Sequence, residues 1–373
     1  MLRSLVVVAL VGCSLPDGDY FGRMPDPIDP AHFRWCNQGE PDHLDPALAS
    51  SQASSPLVAT LFDGLTTYGP DGLPVPSLAT HWEIAGDLRT FTFHLRHDAR
   101  WSNGRAVTAY DIAHSGFRVA HPLTASSNAD TLAPIKGATA YLLRRVFLMR
   151  RAVGPLALGD VVEPAGGDTV DPNARTGSRP LALRDLGAAP GTAYATVPPG
   201  EVVTLMMTTG GRATLPSPDG AAWAYVVWPR DAEGVGGWIP ASELDGEPNG
   251  DRVVEVRRAP AKDTPGPRLE PGSAASDGER PIARVHARDL VHGTDALGIA
   301  IPDPYTIVFE TTDPTPYFLA LTENRALRAT PIEAWSRWPR HWDRPEHIVT
   351  SGPFHLTAWR ERDRVELVRS PTY

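Results

Sequence analysis

Residues 89–122 constrain the fold most, because they set a strand, a tight turn and a capped helix in succession. They read RTFTFHLRHDARWSNGRAVTAYDIAHSGFRVAHP. Phe91, Phe93 and Leu95 alternate with Thr92, His94 and Arg96, the period-two pattern of a strand with one buried face. Asn103-Gly104 takes up positive φ readily and marks a tight turn. Thr108 stands three residues before Asp111, a carboxylate variant of the capping box. Ala109, Ile112, Ala113, Gly116, Phe117 and Ala120 then form one apolar helical stripe, which Pro122 stops.

Length and composition bound the rest. The 373 residues suffice for roughly two or three domains. The net charge of −9 argues against a nucleic-acid surface, which needs clustered cations. Met1 to Cys13 reads MLRSLVVVALVGC, a short apolar run too brief to span a bilayer and shaped like a secretory leader. Leu10-Val11-Gly12-Cys13 resembles a bacterial lipobox, which implies acylation of Cys13 and a stable membrane anchor. Cys36 is then the remaining cysteine, so no intramolecular disulfide is available; beside Trp35 on an expected first strand (His32 to Asn37) it reads as a small buried side chain.

No catalytic constellation stands out: there is no G-x-S-x-G, H-E-x-x-H, P-loop or Cys-x-x-Cys, and an enzyme is not expected. No cofactor or metal is expected either. His94 and His97 read as a solvated pair, because one sits on a strand and the other enters a loop.

Several motifs together resemble the family-five solute-binding proteins of ABC importers, which bind oligopeptides, dipeptides or nickel complexes. The organising stretch carries Thr92-Phe93-His94-Leu95-Arg96, Trp101-Ser102-Asn103-Gly104 and Val107-Thr108-Ala109-Tyr110-Asp111. Glu40-Pro41 with Leu44-Asp45-Pro46, Phe62-Asp63-Gly64-Leu65, Pro314 with Pro316-Tyr317-Phe318, and Ser351-Gly352-Pro353-Phe354 are similar to further family motifs. The resemblance implies an α/β fold: a first lobe of the periplasmic-binding-protein type II kind with a small subdomain. It implies non-covalent capture of a peptide or similar small solute and delivery to ABC permease subunits, on the exported, periplasmic side of the membrane. It also implies ligand contacts at Ser50, Ser51 and Gln52, just past the Leu-Asp-Pro motif, and at His114 on the helix, where an aromatic residue faces the cleft in relatives.

The resemblance lapses near Leu143 and resumes near Asp295. Gly159 to Gly191 and Arg257 to Pro281 are rich in Pro, Gly, Ala, Asp and Arg and read as linkers. Between them Glu201 to Met207, Ala222 to Trp228 and Gly237 to Leu244 read as short strands, and Gly237-Trp238-Ile239-Pro240 resembles the end of a Src-homology-3-type barrel. The expected order is a signal peptide at 1–13, a tether at 14–30, the first part of the lobe at 31–143, and a linker at 144–192. A small all-β barrel insert at 193–246, a linker at 247–294 and the second part of the lobe at 295–373 follow. A second lobe is not expected within this sequence. The rival reading is a surface-anchored adaptor whose barrel binds cell-wall peptide or a protein partner, or a non-binding fragment.

Overall fold

The computed structural model describes residues 33, 35–122, 124–165, 170, 173–185, 192–217, 219–228, 234–245, 252–259, 280–339 and 341–373. All counts are of these residues. Cys13 and the tether expected at 14–30 lie outside them.

In chain order, α1 (Ser54–Leu61) precedes a ribbon of β1 (Thr66–Tyr68) and β2 (Pro74–Pro76). β3 (Ala79–Ile84) and β4 (Thr90–Leu95) make a hairpin with Ile84 opposite Phe91. α2 (Ala109–Ala120) and α3 (Ala138–Leu142) follow. Next come β5 (Phe147–Met149), β6 (Val161–Pro164), β7 (Asn173–Thr176), β8 (Leu181–Arg184) and β9 (Ala193–Val197). They are followed by β10 (Val202–Thr208), β11 (Trp223–Trp228), β12 (Val235–Pro240), β13 (Leu244–Asp245), β14 (Val253–Arg258), β15 (Ala283–His286) and β16 (Leu290–His292). The last elements are β17 (Ile299–Asp303), β18 (Thr306–Glu310), α4 (Phe318–Leu321), α5 (Ile332–Arg337) and the hairpin β19 (Phe354–Arg360) with β20 (Arg364–Arg369). No helix among the described residues is long and apolar enough to cross a membrane.

A four-stranded sheet of order β17-β18-β4-β3 forms the centre of the lobe. The alternation of β4 puts Phe91 and Phe93 on its inner face, opposite Phe309 and Ile307 of β18. Phe318 of α4 stacks on Phe91 at 4.5 Å between ring centroids and closes this core. α2 lies against β17, β18, α3 and α5.

The middle of the chain builds two further sheets. One is seven-stranded and antiparallel, in the order β13-β7-β10-β11-β12-β8-β9. The other is five-stranded, in the order β15-β14-β6-β5-β16. Leu148 of β5 and Val291 of β16 pack into the apolar face of the seven-stranded sheet with Val203, Leu205, Val226 and Ile239. The opposite face of the five-stranded sheet buries Phe147, Val162, Val254, Val256 and Val285.

Strands therefore stand where composition suggests linkers. β5 to β8 fall within 144–192, and β14 to β16 within 247–294. Their alternating valines and leucines satisfy one buried face each, and their backbone groups are satisfied by partners far away in sequence. The seven-stranded sheet also draws β7 and β8 from outside 193–246. Other local expectations differ too. A short helix is allowed by the sequence from Pro76 to Trp82, yet this segment enters β2 and β3, because pairing with β4 outweighs weak helical propensity. Residues 33 and 35–37 form no strand, Phe33 and Trp35 are exposed, and Cys36 is exposed, not buried.

The seven-stranded sheet is seated on α5 by close aromatic packing. Tyr225 of β11 meets Trp335 edge-on at 5.6 Å, and its hydroxyl donates to the Ser336 carbonyl at 3.4 Å. Arg337 lies over Tyr194 of β9 and over Trp338, at 4.9 and 4.7 Å from the ring centroids. Tyr225 and Trp238 are buried in this seam and present no aromatic platform to solvent. Gly236 permits the approach: a Cβ there would lie 2.0 Å from the Tyr225 hydroxyl and 2.7 Å from the Ser336 carbonyl. Gly236→Ala is therefore expected to cost about 1–3 kcal/mol in urea unfolding through overpacking. Gly86→Ala, where nothing lies within 4 Å, should stay within about 0.5 kcal/mol of wild type. Equal midpoints for the two variants would contradict the close seating.

Candidate functional site

The loop from Gly39 to Ser54 is built around two aspartates. Asp42 gathers donors: Oδ1 accepts from His43 N (2.9 Å), Ser51 Oγ (3.0 Å) and Ser54 Oγ (2.5 Å). Its Oδ2 accepts from Ser50 N (3.0 Å), Ser50 Oγ (2.5 Å) and Ser51 N (3.1 Å). Burial would raise the Asp42 carboxyl, but the bonds from Ser50, Ser54 and Ser51 outweigh it and hold the group well below the usual carboxylate range. Ser50 and Ser51 thus spend their hydroxyls inside the loop. Ser50 and Gln52 remain exposed at its surface.

Asp45, of the Leu-Asp-Pro motif, is buried and fully engaged. Arg118 of α2 grips it with both terminal nitrogens, Nη1 at 2.7 Å from Oδ1 and Nη2 on Oδ2. The Ala47 N–H adds 2.9 Å and the Trp342 indole 3.0 Å. Trp335 and Trp342 lie 5.7 and 5.9 Å from the guanidinium. Alongside, Asp343 accepts from Leu44 N at 3.1 Å and sits 3.8 Å from His43 Nδ1, which raises the histidine's affinity for its proton.

The Trp-Ser-Asn-Gly turn and the helix cap form a second network, centred on buried Asp111 and reaching half-exposed Arg105 and Glu333. Asp111 accepts the Thr108 N–H (2.9 Å), the Trp101 indole (3.3 Å) and two nitrogens of Arg105 (3.0 and 2.7 Å). Arg105 also reaches both oxygens of Glu333 on α5 (2.9 and 2.8 Å), which Asn103 joins at 3.1 Å. These polar side chains of the organising stretch are used in holding the fold.

His114 does not face a cleft. α2 is buried on nearly every side, not along one stripe, and His114 is 0% exposed, edge-on to Phe117 at 5.8 Å. Neither ring nitrogen has a hydrogen-bond partner among the described residues, and burial lowers its pKa to about 3. His94 and His97 also diverge: His94 stacks on His81 at 4.4 Å with Nε2 3.5 Å from Glu83, while His97 stacks on Tyr305 at 4.0 Å. No group of three or more His, Cys, Asp or Glu among the described residues could hold a metal ion.

A cleft of about 200 Å³ opens elsewhere, between the end of β4, the residue after Phe62 and the Ser351 loop. Asp63, Arg96, Asp98, Arg100, Ser351 and Tyr373 line it. Sequence reading finds Asp63 and Ser351 only as motif letters; nothing in their spacing places them on one cavity.

The family described as bacterial extracellular solute-binding proteins, family 5 Middle, matches residues 74–158 and 254–373, more than half of the chain. The chain belongs to that family. Family-five proteins are solute-binding proteins and not enzymes. The match breaks off between residues 158 and 254, which hold all seven strands of the seven-stranded sheet. The periplasmic oligopeptide-binding protein OppA of Haemophilus influenzae is 39% identical over 101 residues, covering 27% of this chain and 19% of that protein. The dipeptide-binding protein DppE of Bacillus subtilis is 34% identical over 105 residues, covering 28% and 19%. The solved OppA of Burkholderia pseudomallei superposes with a TM-score of 0.48 at 20% identity, over 90% of this chain and 37% of that one. The matched region thus spans about a fifth of the length of the curated relatives.

Two outcomes follow for this family-five chain. Arg118→Met leaves the Asp45 charge buried without its partner and should cost about 3–5 kcal/mol of stability, with Asp45→Asn in the same chain recovering part of it; no change in the urea midpoint would contradict the pair. His114 has a lowered folded pKa, so its contribution to stability is lost as pH falls below the unfolded value of 6.5. His114→Phe should remove that loss, making stability fall less steeply below about pH 6, by about 1.4 kcal/mol per pH unit. Parallel pH profiles would mean that His114 takes its proton within the fold.

Proposed function

We propose that this chain is the solute-capturing component of an ABC importer, exported to the periplasmic side and binding peptides or similar small solutes without covalent chemistry. The observation that carries the reading is the family match over residues 74–158 and 254–373. The names of the similar proteins, oligopeptide-binding and dipeptide-binding, support the peptide as ligand class. In this reading Cys13 is the acylated anchor, the permease subunits are the membrane partners, and the adaptor role has no observation in its favour.

The ligand contact proposed here is the loop surface at Ser50, Ser51 and Gln52, without the Ser50 and Ser51 N–H groups, which Asp42 already holds. Ser50 and Gln52 are exposed and Ser51 is half-buried, and Asp42, itself exposed, fixes the loop's shape by accepting six hydrogen bonds. A backbone presented in one conformation binds an extended peptide at a lower ordering cost than a loose one. His114 takes no part, since it has no surface to offer.

Isothermal titration of the chain with a mixed tripeptide pool should give heat and a rise in melting temperature at millimolar ligand. Asp42→Ala, which frees the loop, should weaken the peptide about tenfold, the loss of roughly one charge-assisted hydrogen bond's worth of preorganisation. No heat and no thermal shift from any peptide would overturn the reading.

A further inference from the structure

Four buried rings meet where α2 and α3 touch the five-stranded sheet. His121 caps the end of α2, Tyr141 lies in α3, Phe147 in β5 and His292 in β16. His292 stands opposite Phe147 in the strand register and stacks on it at 5.5 Å between ring centroids. Tyr141 lies 4.2 Å from His292, and His121 meets His292 edge-on at 4.6 Å. Two imidazoles therefore stand in a seam whose other rings are aromatic.

The seam is poor in hydrogen bonds. The Tyr141 hydroxyl, the hydroxyl of buried Thr294 and both ring nitrogens of His292 lack a hydrogen bond of normal geometry among the described residues. The Val146 carbonyl beside them already accepts from Gly293 N at 3.1 Å. The charged neighbour is Arg144, whose like charge disfavours a proton on either ring. Asp295, in the turn Thr294–Ala296 after β16, is turned to Arg212, whose N–H it accepts at 2.7 Å. Among the described residues no carboxylate is placed to neutralise an imidazolium here.

Neutral imidazoles pack in such a seam as flat plates. A proton turns one into a buried cation without a partner, which is costly to enclose. A second proton adds repulsion between the two rings. We propose that the four-ring seam is an acid-operated joint: protonation of His292 and His121 opens β5 and β16 away from α2 and α3, while the seam of Tyr225 on Trp335 stays closed. The electrostatics agree with that geometry. Burial lowers the His292 pKa to about 3, against the pull of the Val146 carbonyl. Burial also holds His121 well below its usual value, and His292 and Arg144 add to the effect. Both folded values lie below the unfolded 6.5, so each ring gains its proton on opening. The opening equilibrium therefore rises as pH falls below 6.5, about tenfold per pH unit for each ring. On the periplasmic side, where the chain is proposed to act, acidity follows the surroundings. Neither the joint nor its test depends on peptide capture.

The test is amide hydrogen exchange of the full chain between about pH 7 and about pH 4.5, corrected for the pH dependence of intrinsic exchange. Protection in β5 and β16 is expected to fall about ten- to a hundredfold per pH unit below about pH 6, and protection in β4 and β11 to fall less. His292→Phe, which keeps a flat ring against Phe147, should reduce the slope in β5 and β16 by about tenfold per pH unit. Adding His121→Phe should bring those strands level with β4. His114→Phe removes the other buried histidine of α2 and should leave the contrast between the strands intact. The wild-type profile decides the matter even where a variant does not fold: protection in β5 and β16 that is independent of pH, or that falls in step with β4, overturns the joint. An unchanged slope in folded His292→Phe, or a contrast that disappears in His114→Phe, overturns it as well.

Discussion

The buried pair of Asp45 and Arg118 is the interaction on which the lobe depends. Asp45 belongs to the loop before α1, Arg118 to α2, and Trp342 to the segment after α5; the three meet in one site. Desolvating two charges is expensive, and mutual attraction offsets it only when the remaining hydrogen-bonding capacity is also filled. Here it is filled. The carboxylate takes two guanidinium nitrogens, an indole and a backbone N–H, and two tryptophan rings cover the guanidinium. Because a partial set of these partners would be worse than none, the three segments are held to a single mutual arrangement.

The same logic explains what the sequence could and could not disclose about the organising stretch. Its strand, turn and cap are local, and they are legible: β4 alternates as its letters do, Gly104 has a φ of 86°, and Asp111 accepts the Thr108 N–H. The partner that makes Arg105 necessary is Glu333, 228 residues away. No local pattern names such a partner. The apolar stripe of α2 likewise describes one side of the helix only. Arg118 and His114 fall outside that stripe, yet α5, α3 and the strands enclose the helix from the other directions as well. The inference from resemblance that His114 faces ligand fails for that physical reason.

Composition misled most between residues 144 and 294. Segments rich in glycine, proline and arginine were expected to connect, and several of them pair. β14 shows why: Val254 and Val256 alternate with Val253, Glu255 and Arg257, a pattern short enough to be diluted by its flanks. Its neighbours β6 and β15 come from either side of the seven-stranded sheet in sequence. Pairing over such a distance is set by which apolar faces need covering, not by any run of residues a window can see. A charged pair then crosses the ladder, Arg257 with Glu163 at 2.6 Å.

These seams limit where a family-five chain of this construction can move. The seven-stranded sheet is locked to α5 through Tyr225, Trp335 and Gly236. α5 is locked to the organising stretch through Glu333 and Arg105. At the other side His292 of β16 lies 4.6 Å from His121 at the end of α2, and burial lowers the proton affinity of both rings. Shearing these contacts would expose aromatic surface or separate paired charges, so each seam resists relative sliding of the elements it joins. Compliance is left to elements whose faces are already in water: the β1–β2 ribbon with exposed Tyr68 and Leu73, and the β19–β20 hairpin with exposed Phe354 and Val368.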